Sequence, residues 1–244
     1  DEYKLLGKHI TATALLIPNW VIWSESGYFD YAANTKPLLH LWSLGVEEQY
    51  YLFWPITVYL LFIYKLNAIR ITSILLLCSL LLNLFVTERF PSAAFFLPFT
   101  RMWELLAGSC LAFFTQANLT GFNPIRAQFE KYKWIRHGLS FLGLLLLSAS
   151  LFFIDQDKRF PGGWAILPVL GTLLIIVAGH QSWFNQSVLS SRILVGIGLI
   201  SYPLYLWHWP LLSFARILEQ SQPHWQIRIL CIAIAFILSV LTYF

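Results

Sequence analysis

The chain has 244 residues, of which 58% are hydrophobic and only 11% are charged, and its formal net charge is +4. This composition excludes an ordinary soluble domain, which needs more charge to cover its surface, and it predicts a polytopic membrane protein. The positive charge lies in short loops, so it bears on membrane topology and does not indicate a nucleic-acid partner.

The apolar stretches predict an all-α transmembrane bundle of about seven full spans and one short helix. The short helix covers residues 10–23, and its length favours a re-entrant or interfacial position over a full span. The full spans are predicted at residues 38–64, 71–86, 95–114, 138–154, 164–179, 193–218 and 227–244.

Loop charges predict the orientation of these spans. Residues 65–70, 115–137 and 180–192 are net basic, whereas the alternate loops are acidic or mixed. Short basic loops remain preferentially in the cytoplasm, so the basic set is predicted inside and the alternate set outside.

A polar run opens the first predicted full span. On a helix, His40, Ser43, Glu47 and Tyr50 share one face, and Glu48 points to its side. Because an ionised group is costly inside a membrane, an acid in this position is a candidate for function. The alternative is a helix cap with aromatic anchors at the lipid headgroups, and the residues alone leave both interpretations open.

The third full span carries two opposite charges near its start. Arg101 and Glu104 are three residues apart, so their side chains can pair on one helix face. Such a pair holds its charges in a membrane at lower cost than either group alone. It can serve a substrate or can be a structural ion pair at the membrane edge.

The sixth full span carries a second polar face. Ser201, Tyr205 and His208 lie together on it, and Tyr202 lies to one side. His208 can carry a proton near neutral pH, or it can be a structural histidine bonded between helices. The chain's cysteines lie in apolar segments without metal-ligand spacing, so no metal site is predicted.

These three stretches resemble, in order, the motifs of the acyltransferase-3 family of bacterial membrane O-acyltransferases. Residues 38–51 match the pattern Leu-Leu-His-x-Trp-Ser-Leu-x-Val-Glu-Glu-Gln-Phe-Tyr, with Tyr50 where Phe is usual. Residues 101–108 match Arg-x-Trp-Glu-Leu-Leu-x-Gly, and residues 200–210 match Ile-Ser-Tyr-x-Leu-Tyr-Leu-Trp-His-Trp-Pro. Residues 27–30 and 160–163 also resemble loops of that family.

The resemblance implies a multi-pass enzyme of the bacterial inner (cytoplasmic) membrane. It implies transfer of an acyl group, usually acetyl from cytoplasmic acetyl-CoA, to a hydroxyl of an envelope glycan such as O-antigen. The implied partners are the bilayer, the acyl-CoA donor and the glycan, with no nucleic acid and no bound cofactor. Residues 1–244 resemble roughly the last two thirds of the family domain. The family's first three helices, which carry a histidine thought to be catalytic, are not among them, so this piece alone is expected to be inactive.

The implied site divides into two groups of residues. The catalytic residues are predicted to be Glu47 and His208. The positioning residues are predicted to be His40, Ser43, Glu48, Tyr50, Arg101, Glu104, Tyr202 and Tyr205. The alternatives are a proton-coupled transporter or flippase component for envelope glycans, whose membrane acids relay protons, and a membrane-spanning interaction partner without catalysis.

Overall fold

The computed structural model describes residues 2–26, 35–119, 132–155 and 158–244. The chain forms two compact units: residues 1–48 with 192–244, and residues 49–191. Every regular element in the described ranges is helical, which confirms the predicted all-α fold. Residues 27–30 and the part of the predicted basic loop at 120–131 lie outside the described residues.

The first unit contains five helices of its own within its described ranges, together with the start of α3. They are α1 (Glu2–Ala14), α2 (Pro18–Glu25), the start of α3 (Leu41–Ile63), α9 (Arg192–Leu199), α10 (Ser201–Glu219) and α11 (Trp225–Tyr243). The single short helix predicted at residues 10–23 is wrong, because this stretch holds the end of α1 and most of α2. Leu16 has a positive φ of 60°, and Pro18, which has no N–H to continue α1, begins α2 instead.

The span predicted at residues 193–218 is also divided. Helix α9 ends at Leu199 and α10 begins at Ser201, with Ile200 between them at φ −96° and ψ 4°. Pro203 lies in the first turn of α10, where a backbone N–H has no helical partner and a proline is therefore tolerated. In a continuous helix the same proline would remove a hydrogen bond, which accounts for the break.

The second unit contains the rest of α3 and the helices that follow it. These are α4 (Ala68–Arg89), α5 (Pro91–Phe96), α6 (Pro98–Leu119), α7 (Lys133–Phe153), a 3-10 turn (Gly162–Ala165), α8 (Ile166–Ala178) and a π-helical turn (Asn185–Leu189). The span predicted at residues 95–114 therefore begins as a separate short helix, because Pro98 starts α6 afresh.

Helix α4 packs on α6 through a polar stripe. Ser79, Asn83 and Thr87 recur every four residues and are buried, whereas Leu81 and Phe85 are 63% and 58% exposed. The Asn83 amide donates to the Thr100 carbonyl at 2.9 Å. Polar groups thus face the neighbouring helix and apolar groups face outward, as expected of helices surrounded by lipid.

Ser79 makes the closest polar link between these two helices. Its hydroxyl donates to the Phe99 carbonyl at 2.6 Å and accepts from the Trp103 N–H at 3.0 Å. Those two backbone groups would bond to each other in a regular helix. The serine of α4 is therefore bonded to both groups in the first turn of α6.

Helices α7 and α8 approach each other at two glycines. A Cβ added to Gly143 would lie 2.7 Å from the Gly171 carbonyl oxygen, and one added to Gly171 would lie 2.9 Å from that of Gly143. Neither position has room for a side chain. Small residues of this kind allow close backbone packing between membrane helices.

Three helices of the described ranges are long and apolar enough to cross a membrane: α4, α7 and α11. The helices α3, α6 and α10 have 23, 22 and 19 residues but carry polar and charged groups, and the 3-10 turn with α8 forms a shorter apolar helix, Gly162–Ala178. The chain is thus a helical membrane protein, and the count of about seven spans stays a prediction.

Candidate functional site

The start of α3 is held by a tyrosine of α10. A turn at residues 37–40 precedes α3, so His40 lies just before the helix. The sequence had predicted it within the helix. The Tyr205 hydroxyl donates to the His40 carbonyl. Since that uses its only proton, Ser43 donates to the Tyr205 oxygen, at 2.7 Å. Tyr205 therefore bonds both to the turn before α3, at His40, and to the first turn of α3, at Ser43.

The tautomer of His208 follows from its partners. Its Nδ1 lies 2.8 Å from the Tyr205 carbonyl oxygen and 3.1 Å from that of Leu204. Carbonyl oxygens only accept, so Nδ1 carries the proton and donates. In the neutral ring Nε2 then holds a lone pair, and it is the nitrogen able to take a proton from another group.

The His40 ring lies among three other rings of the first unit. Its centroid is 5.0 Å from that of Tyr205, 5.5 Å from that of His208 and 6.3 Å from that of Trp209. The residue is only 8% exposed, and its imidazole also faces the backbone of Tyr205 and Leu206. The ring is thus packed against α10.

His40, Ser43, Tyr205 and His208 form what we call the histidine cluster. The sequence placed these residues on two separate helix faces, and the fold brings the faces together. It does not bring Tyr202 to the cluster, since that side chain is 56% exposed and has no ring contact or hydrogen bond with the described residues.

The two acids of the motif are both half-buried near the start of α3. Glu47 lies one helical turn after Ser43 and so continues the face that carries Ser43, whereas Glu48 is turned about 100° away. Gly45 lies between Ser43 and the two acids in the sequence, and it packs against α2. A Cβ added to Gly45 would lie 2.7 Å from Pro18 Cγ and 3.1 Å from Asn19 Oδ1. This glycine sets how closely the motif approaches α2.

Tyr50 takes part in the second unit. Its hydroxyl shares a 2.7 Å hydrogen bond with Ser109 of α6, and its ring stacks on Trp54 with centroids 5.4 Å apart. Both contacts hold the side chain firmly. The sequence had grouped Tyr50 with His40, but the contacts of Tyr50 are those of a residue packed between α3 and α6.

Arg101 and Glu104 form the predicted pair. Arg101 Nε lies 2.7 Å from Glu104 Oε1, and a second guanidinium nitrogen donates to Oε2 at 3.1 Å. The Phe95 and Phe160 rings lie 5.7 and 5.5 Å from the guanidinium carbon. The pair borders a cavity of 280 Å³ whose opposite wall is α8. A two-pronged pair between aromatic rings is well ordered and can orient a polar group in that cavity.

A second charged cluster in the first unit was missed by the sequence analysis. Glu25 Oε2 lies 2.8 Å from His9 Nε2 and 3.4 Å from Lys36 Nζ, and Oε1 lies 2.7 Å from Lys8 Nζ. Burial raises the pKa of the Glu25 carboxyl, but the hydrogen bonds and charges of Lys8 and His9 outweigh this and hold the pKa below its ordinary value. The only signal in the sequence was a set of lone charges spread over α1, α2 and a loop.

This second cluster adjoins the histidine cluster through the backbone. The Trp209 indole donates to the Lys36 carbonyl at 2.9 Å. Lys36 and His9 also line a cavity of 330 Å³ whose other walls include Phe214 and Ile217 of α10. Residues before α3 are thus bonded to the same helix that carries Tyr205 and His208.

Comparison with known proteins gives a match over most of the chain. The family profile described as "Acyltransferase domain", of the acyltransferase-3 type, matches residues 7–244. No solved structure matches.

Three relatives illustrate the similarity. YrhL of Bacillus subtilis, named provisionally as a peptidoglycan O-acetyltransferase, is 31% identical over 233 residues, which cover 92% of this chain and 36% of YrhL. The peptidoglycan O-acetyltransferase OatA of Listeria monocytogenes is 30% identical over 233 residues, or 92% of this chain and 37% of OatA. A provisionally named O-acetyltransferase of Staphylococcus aureus strain COL is 30% identical over 221 residues, or 86% and 35%. The chain thus spans just over a third of the length of these relatives.

Proposed function

The chain belongs to the acyltransferase-3 family, and on that premise we propose that the whole protein O-acetylates a glycan of the bacterial cell envelope. Two of the relatives are named for peptidoglycan, so peptidoglycan is the proposed acceptor in place of the O-antigen expected from the sequence. The proposed donor is a cytoplasmic acyl-CoA, with acetyl as the acyl group. The proposed location is the cytoplasmic membrane, which the protein crosses several times.

The observation that carries this proposal is the fixed tautomer of His208. Because Nδ1–H is bonded to two carbonyls, Nε2 is the basic nitrogen of the neutral ring. In the proposed step Nε2 takes the proton of a glycan hydroxyl while the oxygen attacks the acyl carbonyl of a thioester. The carbon–sulfur bond breaks, and the departing thiolate takes up a proton, so that ester and thiol are the products.

Neighbouring groups support that step in defined ways. Glu47, on the face of α3 that carries Ser43, supplies negative charge that favours the protonated imidazole, as carboxylates do in acyl-transfer triads. Ser43 and Tyr205 hold the start of α3 against α10. Arg101 and Glu104, with Tyr50, Glu48 and Tyr202, remain proposed positioning residues for donor or acceptor.

The test uses the full-length protein in membrane vesicles supplied with isotope-labelled acetyl-CoA. Soluble peptidoglycan fragments and O-antigen polysaccharide are offered separately, and acetylated products are measured by mass spectrometry. We expect label on the peptidoglycan fragment, and a loss of about 10²–10⁴-fold for His208→Gln, the scale of a removed general base. The matched control is His224→Gln, since His224 is exposed at the start of α11 and its side chain makes no capping bond.

Three results would contradict the proposal. Acetylation of O-antigen alone would refute the acceptor. Full activity of His208→Gln would refute the base. Movement of glycan across the membrane without any acetylation would favour the transporter alternative.

A further inference from the structure

Pro210 leaves one backbone carbonyl of α10 without its helical donor. This proline lies in the interior of the helix Ser201–Glu219. In an α-helix the N–H of each residue bonds to the carbonyl four residues earlier, and proline has no N–H. The Leu206 carbonyl therefore lacks its usual partner. Within a membrane protein such a carbonyl is satisfied by a neighbouring polar group or by water.

The imidazole of His40 is a polar group that faces this carbonyl. The residue is only 8% exposed, and its ring centroid lies 5.0 Å from that of Tyr205 on α10. The imidazole faces the backbone carbonyls of both Tyr205 and Leu206. Since carbonyl oxygens only accept, a ring nitrogen that bonds to either of them carries the proton.

Of these two carbonyls, that of Leu206 has the greater capacity to accept the proton. The Tyr205 carbonyl already accepts from Nδ1 of His208 at 2.8 Å. Its helical donor, the Trp209 N–H, is also present, and a carbonyl oxygen has only two lone pairs. The Leu206 carbonyl has no helical donor, so the ring N–H of His40 is directed to it.

We propose that Pro210 is a positioning residue, which reserves the Leu206 carbonyl for the imidazole of His40. The backbone of the same turn is held to α10 separately, because the Tyr205 hydroxyl donates to the His40 carbonyl. The ring contact adds a second attachment through the side chain. Since α3 begins at the next residue, this attachment determines how the start of α3 faces His208. The consequence for catalysis rests on the proposed function, in which His208 is the base.

The test restores the missing donor with Pro210→Ala in the full-length protein. The alanine N–H bonds to the Leu206 carbonyl and the clash of the proline ring with it disappears, so the unfolding temperature should rise. The His40 ring then loses its acceptor. The kcat for acetylation of a soluble peptidoglycan fragment should fall about 10-fold, the scale of one lost hydrogen bond, while the KM stays unchanged.

The matched control is Pro55→Ala, since Pro55 also lies inside a helix, α3, but is exposed. It should raise the unfolding temperature as well and leave kcat unchanged. A variant that is more stable but slower is therefore expected at Pro210 alone of the two positions. A proline with a merely structural role would not separate stability from kcat in this way.

A double-mutant cycle with His40→Phe measures the link between the two residues directly. The phenylalanine keeps a ring beside Tyr205 but cannot donate, so it leaves the Leu206 carbonyl without a donor. Pro210→Ala should then raise the unfolding temperature more in the His40→Phe background than in the wild type. The kcat of His40→Phe should be reduced already and should fall no further. The unfolding temperature does not depend on acetyl transfer.

Each outcome bears on one statement. Equal gains in unfolding temperature in the two backgrounds would overturn the bond between His40 and the Leu206 carbonyl. A larger gain in His40→Phe together with a wild-type kcat for Pro210→Ala would overturn the positioning role. If the temperatures follow the expected cycle but no member of it acetylates a glycan, the proposed function is wrong, whereas the link between His40 and Pro210 is supported.

Discussion

Replacing Gly45 by alanine should loosen the contact between α2 and the motif at the start of α3. The new methyl would lie 2.7 and 2.8 Å from two carbons of the Pro18 ring, about 0.7 Å inside the shortest ordinary contact. A proline ring has no free rotamer with which to move away, so the backbone must shift. Overpacking of this kind costs about 1–3 kcal/mol. Alanine recovers about 0.5–1 kcal/mol through its higher helix propensity, which leaves a net loss of about 1 kcal/mol within a range of about 0–2.5 kcal/mol.

The matched control is Gly198→Ala, at a helical glycine of the same unit where an added Cβ meets nothing within 4 Å. It should be neutral or stabilising by up to about 1 kcal/mol. Both variants are compared with the wild type by thermal unfolding in detergent and by acetylation at matched protein levels. Gly45→Ala should unfold at a lower temperature and lose activity, since Ser43 and Glu47 flank the moved position. If the two variants have the same stability, the close contact of Gly45 with Pro18 does not limit the packing of α3.

Three further predictions concern charged residues. Arg101→Ala should lower the thermal unfolding temperature more than the double change of Arg101 and Glu104 to Gln, because it leaves one carboxylate unpaired in a poor solvent; equal, small shifts would show that both groups are hydrated. Glu47→Gln should reduce acetylated glycan, measured by mass spectrometry in cells with matched membrane abundance, by about 10²-fold or more. Glu48→Gln should cost less, and the reverse order would refute the assigned face. Glu25 has a lowered pKa in the folded chain. Its carboxylate therefore contributes fully to stability above the ordinary glutamate pKa, and this contribution is lost as the pH falls through the lower pKa of the folded state. Glu25→Gln should flatten the dependence of unfolding temperature on acidic pH, and an unchanged profile would show that the carboxylate is not held by its partners.

The long apolar helices could be predicted from the sequence because their signal is local. The span predicted at residues 71–86 is the centre of α4 (Ala68–Arg89), and that predicted at 138–154 nearly coincides with α7 (Lys133–Phe153). Hydropathy was less informative where prolines interrupt it. At Pro18 and Pro98 the chain can either start a new helix or continue as one bent helix. Hydropathy does not distinguish these two structures, because the residues are the same in both.

The candidate site was predictable in its members but not in its grouping. Helix periodicity placed His40 and Ser43 on one face, and Tyr205 and His208 on another. Only the tertiary contact shows that these faces meet, because Tyr205 bonds to residues more than 160 positions earlier in the chain. Tyr50 shows the opposite failure: periodicity grouped it with His40, but its hydroxyl is bonded to Ser109.

The serine between α4 and α6 has a consequence for how the second unit is assembled. In the first turn of α6 the Phe99 carbonyl and the Trp103 N–H are both bonded to a hydroxyl from a different segment. Polar groups that bond across helices hold membrane helices together where lipid supplies no hydrophobic driving force. Helix α4 precedes α6 in the chain, so during synthesis the Ser79 hydroxyl is already present when α6 enters the bilayer. A permuted chain that delivered α6 first would begin without this polar link, and the start of α6 would then be held by its own backbone bonds alone.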